Sequence, residues 1–340
     1  MSNNTGVDNQ RCGDSGGSEE ITSNNNECTS CEQNNVDNIT EDFSSVVLDD
    51  TSTCASCGKE GNSDDMNNCN KCKSVKYCNA ACKKKHRKKH KKACEKRVAE
   101  LHEEALFREV EPEECPICFL PIPYETKTST FKSCCGKIIC NGCIYAMKTS
   151  EGKDLCAYCR VPPPSSDEEQ IRLLKKLMDK GNDEAFHQLA GYYAAGTNGM
   201  PQNYQKANEL YLKAGELGCA GGYYNLGNSY HEGWGVERDM KKAKHYYELA
   251  AMKGYVYARY NVAVFERKAG NHKRAIKHYI ISAKAGYDGS LDFVKMYFIP
   301  RGRLVTKDEY ESTLRAYHKR QNEMKSDMRD KAASSDMFWY

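Results

Sequence analysis

Residues 222–254 read GYYNLGNSYHEGWGVERDMKKAKHYYELAAMKG, and the pattern in this stretch recurs on both sides of it. Its two halves are Gly222-x3-Leu226-Gly227-x2-Tyr230 and Lys242-Ala243-x3-Tyr247-x2-Ala250, closed by Gly254. Each half is long enough for one helix, and a Gly-containing turn joins them. Small residues at fixed positions allow two helices to approach closely. The stretch therefore predicts a helix–turn–helix unit.

Two further copies of this pattern flank the first. They are Ala185-x3-Leu189-Ala190-x2-Tyr193 with Lys206-Ala207-x3-Tyr211-x2-Ala214, and Ala258-x3-Val262-Ala263-x2-Glu266 with Arg274-Ala275-x3-Tyr279-x2-Ser282. The closing glycines of the three copies are 36 and then 32 residues apart. Three stacked units are about the minimum for a stable solenoid. Because the tyrosines recur in register, we expect Tyr193, Tyr211, Tyr230, Tyr247 and Tyr279 to pack between helices rather than bind a ligand.

These copies resemble the Sel-one-like repeat, a relative of the tetratricopeptide repeat, and the Gly-Trp-Gly-Val turn at 233–236 is typical of it. The resemblance implies an α-solenoid whose surface binds protein partners. A helix at 166–180 would cap one end, and a divergent helix pair from 290 to 320 would seal the other. We predict a mainly α fold, with a solenoid of helix pairs over residues 166–320 after two small zinc-stabilised modules.

The segment from Cys54 to Cys94 contains eight side chains of the types that bind zinc. They follow the order Cys54-x2-Cys57-x11-Cys69-x2-Cys72-x5-Cys78-x3-Cys82-x7-His90-x3-Cys94. Eight thiolate and imidazole ligands fill two closed tetrahedral sites. A module of 41 residues is near the size at which a metal or disulfides become necessary for folding. A structural zinc contributes about 10–16 kcal/mol of apparent free energy, so we expect two Zn²⁺ ions to hold this segment.

The ligand order and spacing of residues 54–94 resemble those of the MYND-type zinc finger. The resemblance implies that the two sites interleave, with Cys54, Cys57, Cys78 and Cys82 on one zinc and Cys69, Cys72, His90 and Cys94 on the other. It also implies a shallow groove for short proline-containing peptides, and hence an adaptor function. Tyr77 fits the family's aromatic at that site, whereas Arg87 stands where the family often has tryptophan.

Residues 115–160 contain a second set of eight cysteines and resemble a RING finger. The resemblance implies that Cys115, Cys118, Cys140 and Cys143 hold one zinc. The other zinc would take Cys156, Cys159 and two ligands near residue 134. The family normally has Cys-x-His there, but this chain has Cys135-Gly136-Lys137, and a lysine ammonium does not bind zinc. Cys134 must then join Cys135 as a ligand, or the second site is incomplete.

RING fingers commonly act as ubiquitin ligases by docking a ubiquitin-conjugating enzyme and positioning its thioester. Ile117 matches the family's apolar contact with that enzyme, and Arg160 matches the cation that holds ubiquitin against it. The proline usual after the seventh ligand is Ala157 here. A protein-interaction adaptor and a RING-type ligase therefore both remain open. A finger that is only a zinc-stabilised spacer or binding surface is a third alternative.

The segments outside these modules are interpreted from composition. Residues 1–50 contain few large apolar side chains, so we expect an acidic disordered tail. Residues 95–111 are rich in helix formers and predict a helical linker between the two fingers. Residues 325–340 are expected to be flexible. The free Cys28-x2-Cys31 pair in the tail supplies half a zinc site at most.

Charge and cysteine usage restrict the compartment and the partners. Residues 1–53 carry eleven acidic side chains and one basic one, whereas residues 83–92 carry eight lysines or arginines. That basic run could be a nuclear-import signal, but it contains no interleaved aromatics for stacking on nucleic acid. No apolar run approaches membrane-spanning length, and fifteen of the nineteen cysteines fall in the two dense blocks. We therefore expect a cytoplasmic or nuclear protein that binds other proteins, with its thiols reduced as zinc ligands.

Overall fold

A computed structural model describes residues 51–124, 128–151, 154–298 and 304–335. All of them lie in one compact unit, residues 48–340. The tail predicted to be disordered, residues 1–50, and its Cys28 and Cys31 lie outside the described residues. Within the described residues no helix is both long enough and apolar enough to cross a membrane.

Residues 51–106 form the first zinc module. Two short antiparallel hairpins come first, built from β1 (Thr51–Thr53) with β2 (Glu60–Asn62) and from β3 (Asn67–Asn68) with β4 (Lys76–Tyr77). Helix α1 (Ala80–Leu106) follows and begins at Asn79, whose side chain accepts a hydrogen bond from the Cys82 backbone N–H. The predicted linker helix is therefore not separate, because α1 runs without a break from the finger into it.

Residues 115–161 form the second cysteine-rich module, which the sequence predicts to bind zinc and which we call the second zinc module. It contains one antiparallel hairpin, β5 (Ser129–Lys132) with β6 (Lys137–Cys140), in the register Ser129 to Cys140. Helix α2 (Asn141–Glu151) follows directly after β6. Ile139 and Ile144 are buried among the cysteines, so the apolar core of this module is small.

The remaining described residues form the helical solenoid. Its helices are α3 (Asp167–Met178), α4 (Asp183–Ala195), α5 (Tyr204–Leu217), α6 (Ala220–Glu232), α7 (Met240–Met252), α8 (Val256–Lys268), α9 (His272–Lys284), α10 (Asp288–Phe298) and α11 (Lys307–Glu323), followed by α12 (Asp327–Ala333). Each helix from α4 to α9 packs against the next along the chain. The solenoid predicted from the repeats is thus present, and α10 and α11 close its end.

Alanines and tyrosines of the repeat pattern form the contacts between these helices. Ala190, Ala207 and Ala243 are fully buried. The repeat tyrosines are buried or lie against the buried clusters: Tyr193, Tyr211, Tyr230, Tyr247 and Tyr279. The prediction that these tyrosines are packing residues is therefore confirmed.

Candidate metal centres

Four of the five C-x2-C pairs in the described residues form the same tight turn, which we call a knuckle; the fifth, Cys140 with Cys143, lies where β6 passes into α2. In every knuckle the residue after the second cysteine donates its backbone N–H to the carbonyl of the first. These bonds are Gly58 to Cys54 (2.9 Å), Lys73 to Cys69 (3.0 Å), Phe119 to Cys115 (2.9 Å) and Arg160 to Cys156 (2.9 Å). All four donors have positive φ, between 52° and 75°. Only Gly58 adopts this conformation without steric cost, so the other three knuckles hold a strained residue.

The structure brings the eight ligands of the first module together in two sets. One set is Cys54, Cys57, Cys78 and Cys82, and the other is Cys69, Cys72, His90 and Cys94. The Sγ atoms of Cys57 and Cys78 are 3.7 Å apart, as are those of Cys69 and Cys94. With Zn–S bonds of about 2.3 Å, two thiolates at adjacent corners of a tetrahedron lie about 3.8 Å apart. The donor types and spacings therefore fit two closed zinc sites.

Helix α1 and the knuckles supply these ligands from opposite sides. Cys82, His90 and Cys94 project from α1, and Nε2 of His90 lies 3.2 Å from Sγ of Cys72. Tyr77 is buried in the centre of the module, and its hydroxyl contacts Nδ1 of His86 at 3.2 Å. Tyr77 is thus a core residue of the finger and does not offer a wall to an exposed groove.

Thiols packed this closely oppose each other's ionisation. A hydrogen bond from the Cys78 backbone N–H is the main cause that lowers the pKa of Cys54 to about 6. A hydrogen bond with the Cys82 thiol is the main cause that raises the pKa of Cys78 to about 12. Four thiolates cannot share one site without a cation, and a divalent zinc ion supplies the charge that lets all four lose their protons.

The second module also forms two four-cysteine sets. Cys115, Cys118, Cys140 and Cys143 form the first, where the thiol distances include 3.7 Å between Cys118 and Cys140. Cys134, Cys135, Cys156 and Cys159 form the second. Each set consists of two cysteine pairs, and one pair of the other set lies between them in the sequence. The two sets therefore interleave, as the resemblance to a RING finger implies.

The adjacent cysteines Cys134 and Cys135 lie in the same set. Sγ of Cys135 is 3.9 Å from that of Cys156, and Sγ of Cys134 is 3.4 Å from that of Cys159. The turn after β5, in which the Gly136 N–H bonds the Lys132 carbonyl at 2.7 Å, places both thiols on one side. Lys137 is exposed. The donor set is therefore complete without a histidine, and it fits a second zinc ion.

The two residues expected to contact a ubiquitin-conjugating enzyme lie at the surface of this module. Ile117 is 36 % exposed and lines a shallow groove of about 510 Å³ with Ala146, Met147 and Ala157. Met328, from the C-terminal helix α12, lines the same groove. Arg160 ends the last knuckle and is exposed, but it is not among the lining residues of the groove.

The C-terminal residues differ from expectation. We expected residues 325–340 to be flexible, but helix α12 packs against α2 of the second module. Arg329 is buried, and its guanidinium donates to the carbonyls of Pro121 and Met324, each at 2.7 Å. It also lies 3.7 Å from Sγ of Cys118. The contacts of Arg329 with Pro121 and Cys118 join residues more than 200 positions apart, so no sequence motif indicates them. Residues 336–340 lie outside the described part of the chain.

The end of α1 is anchored in the repeats. Arg259 of α8 is buried and donates to the carbonyls of Leu106 at 2.5 Å and Ala251 at 2.6 Å. Phe107 stacks on His278 with 4.5 Å between ring centroids. Arg274 pairs with Glu103 of α1. These contacts fix the first zinc module relative to the solenoid.

The second module also contacts the solenoid directly. Ser133 donates to Gln170 of α3 at 2.7 Å, and the Tyr124 hydroxyl donates to the Gly286 carbonyl at 2.5 Å. The Tyr124 ring lies edge-on to Tyr257 and Tyr287. Part of the repeat surface is therefore covered by the chain itself.

Family models match two parts of the chain. The model described as MYND finger matches residues 54–94. The model described as Sel1 repeat matches residues 184–219, 220–255 and 256–287. The chain contains a MYND finger and three Sel1 repeats. Zinc is therefore implied at residues 54–94, and the resemblances proposed from the ligand spacing and the repeat pattern are confirmed for these two elements.

Curated relatives match only over part of their length. The ERAD-associated E3 ubiquitin-protein ligase component HRD3B of Arabidopsis thaliana is 29% identical over 131 residues, which are 38% of this chain and 20% of that protein. A sel1-like repeat-containing protein of Acanthamoeba polyphaga mimivirus is 36% identical over 63 residues, which are 18% of this chain and 12% of that protein. The chain spans about a fifth or less of these relatives.

Solved structures with similar helices include two repeat proteins. A Sel1 repeat protein from Oxalobacter formigenes is 22% identical with a TM-score of 0.40, over 52% of this chain and 70% of that one. A protective antigen of uropathogenic Escherichia coli with an SLR fold is 20% identical with a TM-score of 0.38, over 53% of this chain and 37% of that one.

Proposed function

We propose that this protein is a zinc-dependent protein-interaction adaptor, in which the MYND finger and the Sel1 repeats recruit protein partners. The observation that supports this most is the anchoring of both zinc modules on the repeats. Arg259 fixes the end of α1, and Arg329 and Tyr124 fix the second module. Three interaction surfaces are therefore held at fixed relative positions, which suits a scaffold that brings partners together.

Short proline-containing peptides are the partner class we propose for the MYND finger. Arg87 is exposed on α1 at the position where the family often has a groove-forming tryptophan. Replacing it by tryptophan should strengthen binding of such peptides, because an aromatic ring packs well against a proline side chain.

Fluorescence anisotropy with proline-containing peptides and the full chain tests this role. Arg87→Trp should bind more tightly than wild type, whereas the matched control Lys88→Trp on the neighbouring exposed position should not. Equal affinities of the two variants would remove the peptide groove from the proposal.

A RING-type ubiquitin ligase is the second candidate function, and the groove beside Ile117 favours it. The groove is apolar and partly exposed, and it is built from the Cys115/Cys118 knuckle and α2. The resemblance places the ubiquitin-conjugating enzyme at this position. The match over 131 residues to a ligase component named HRD3B is consistent with this function. Catalysis would be by positioning alone, because the cysteines of this module are zinc ligands in the proposal.

An autoubiquitination assay with a panel of conjugating enzymes separates the two functions. Ile117→Ala should abolish ubiquitin chains and Arg160→Ala should reduce them. Phe119→Asn should leave them unchanged, because Phe119 follows the same knuckle but does not line the groove. Wild-type protein that forms no chains with any enzyme of the panel would leave the adaptor as the function.

A further inference from the structure

A cavity of about 720 Å³ lies between the linker after α1, the second zinc module and the repeats. Among its lining residues are Glu184 and His187 of α4 and Cys219, which precedes α6. One ligand atom from each of these three side chains lies within 4.8 Å of the other two. Thiolate, imidazole and carboxylate are the three ligand types that zinc takes in proteins.

The distances within this trio are close to those between zinc ligands. Sγ of Cys219 lies 3.2 Å from Oε2 of Glu184, and Nδ1 of His187 lies 3.0 Å from Oε1 of Glu184. For bonds of about 2.0–2.3 Å, mixed ligands at adjacent corners of a tetrahedron are about 3.3–3.6 Å apart. A shift of a few tenths of an ångström would therefore accommodate the ion.

The side chains of the trio are held by hydrogen-bond partners. The Asn225 amide Nδ2 lies 2.9 Å from Nε2 of His187, so each ring nitrogen of that histidine has a partner. Burial works to raise the pKa of Glu184, but hydrogen bonding and electrostatic attraction from His187, together with hydrogen bonds from Gln188 and Cys219, outweigh it and lower that pKa. An ionised carboxylate therefore lies at the edge of the cavity.

Nearby charges add to this negative potential. Burial first, and then repulsion from Glu184 and Asp183, raise the pKa of Glu113, which lines the same cavity. Lys137, Lys253 and Arg320 also line it. Within the described residues none of these three is ion-paired with Glu184, and Arg320 pairs instead with Glu111 and Glu323.

We propose that Glu184, His187 and Cys219 bind a further zinc ion, separate from those of the two zinc modules. On binding, the Cys219 thiol releases its proton to solvent and the thiolate binds the metal. The His187 imidazole binds the metal through Nδ1 with its proton on Nε2, and the Asn225 side chain turns so that its amide oxygen accepts a hydrogen bond from that N–H. Three protein ligands leave the fourth position open towards the cavity, the arrangement found in zinc sites that bind water or a substrate group.

Native mass spectrometry of the full chain, loaded with zinc alone, tests the proposal. Cys219→Ser and His187→Gln should each carry one ion fewer than wild type. The control His231→Gln, which changes a half-buried histidine of the next repeat that also contacts a glutamate, should carry the wild-type number. Equal numbers in all four proteins would overturn the proposal.

A second measurement takes its main result from wild-type protein, so that result does not depend on the folding of a variant. After alkylation with a thiol reagent, peptide mapping gives the modified fraction of Cys219. Added zinc should protect Cys219 in wild type, and the same addition should not protect it in His187→Gln. Alkylation of Cys219 that does not respond to zinc would refute the site, whatever the occupancy of the two zinc modules.

Discussion

Replacement of Arg329 by alanine should release helix α12 from the second zinc module. The guanidinium makes two hydrogen bonds to this module, to the carbonyls of Pro121 at 2.7 Å and Leu120 at 3.3 Å. Hydrogen bonds from a charged donor contribute about 1.5–3 kcal/mol each. The buried Nε atom has no partner, which offsets part of this gain. We therefore expect a net loss of about 3 kcal/mol, or roughly a 150-fold shift in the docking equilibrium.

A helix of seven residues is too short to persist without tertiary contacts. Hydrogen–deuterium exchange should therefore show loss of protection across residues 327–333 in Arg329→Ala, and faster release of zinc from Cys118 and its partners under a chelator. Lys331→Ala is the matched control, because Lys331 is exposed on the same helix. Retained protection of α12 in Arg329→Ala would refute the reasoning.

Gly142→Ala tests the same contact from the other side. A Cβ atom at Gly142 would lie 2.8 Å from the backbone nitrogen of Arg329, so α12 would have to move. Glycine to alanine inside a helix otherwise stabilises by up to about 1 kcal/mol. Loss of hydrogen-exchange protection in α12 of this variant would therefore identify the clash. A gain in the stability of the protein would contradict the docked position of α12 on α2.

The other predictions concern the first two knuckles, the contact of Arg259 with the end of α1, and the buried side chain of His278. Gly58→Ala should weaken zinc binding by about 1 kcal/mol, because φ of Gly58 is 75° and backbone strain alone opposes a side chain there. Lys73→Gly should strengthen zinc binding for the same reason. Equal zinc affinities of the variants and wild type in chelator competition would contradict both expectations. Arg259→Met should lower the free energy of unfolding by about 3 kcal/mol, because it leaves buried carbonyls unpaired. It should also raise hydrogen exchange at the end of α1. Unchanged exchange there would count against the role of Arg259 in anchoring α1. Burial lowers the pKa of His278 from 6.5 to about 3, so the unfolded chain takes up a proton that the folded one does not as the pH falls below 6.5. His278→Phe should therefore lose less stability than wild type between about pH 8 and about pH 5.5 in chemical denaturation, and parallel profiles would disprove the assignment.

The zinc modules show how far local spacing predicts a site. Four of the five C-x2-C pairs in the described residues form the same knuckle, and the 3.6-residue period of α1 places Cys82, His90 and Cys94 within reach of the knuckles. The two four-ligand sets of each module were therefore accessible from residue order together with the family resemblance. Tyr77 shows the limit, because its burial depends on how α1 packs over the hairpins.

Sequence alone determined the repeat period, the helix pairs and the residues that pack between them, because these depend on contacts between neighbours along the chain. Only the tertiary structure decided that Arg259 anchors α1, that Arg329 brings the C-terminal helix to the second module, and that Glu184, His187 and Cys219 face one cavity. Those contacts join residues that are up to 211 positions apart. They depend on the relative placement of folded modules, which neither periodicity nor motif spacing specifies.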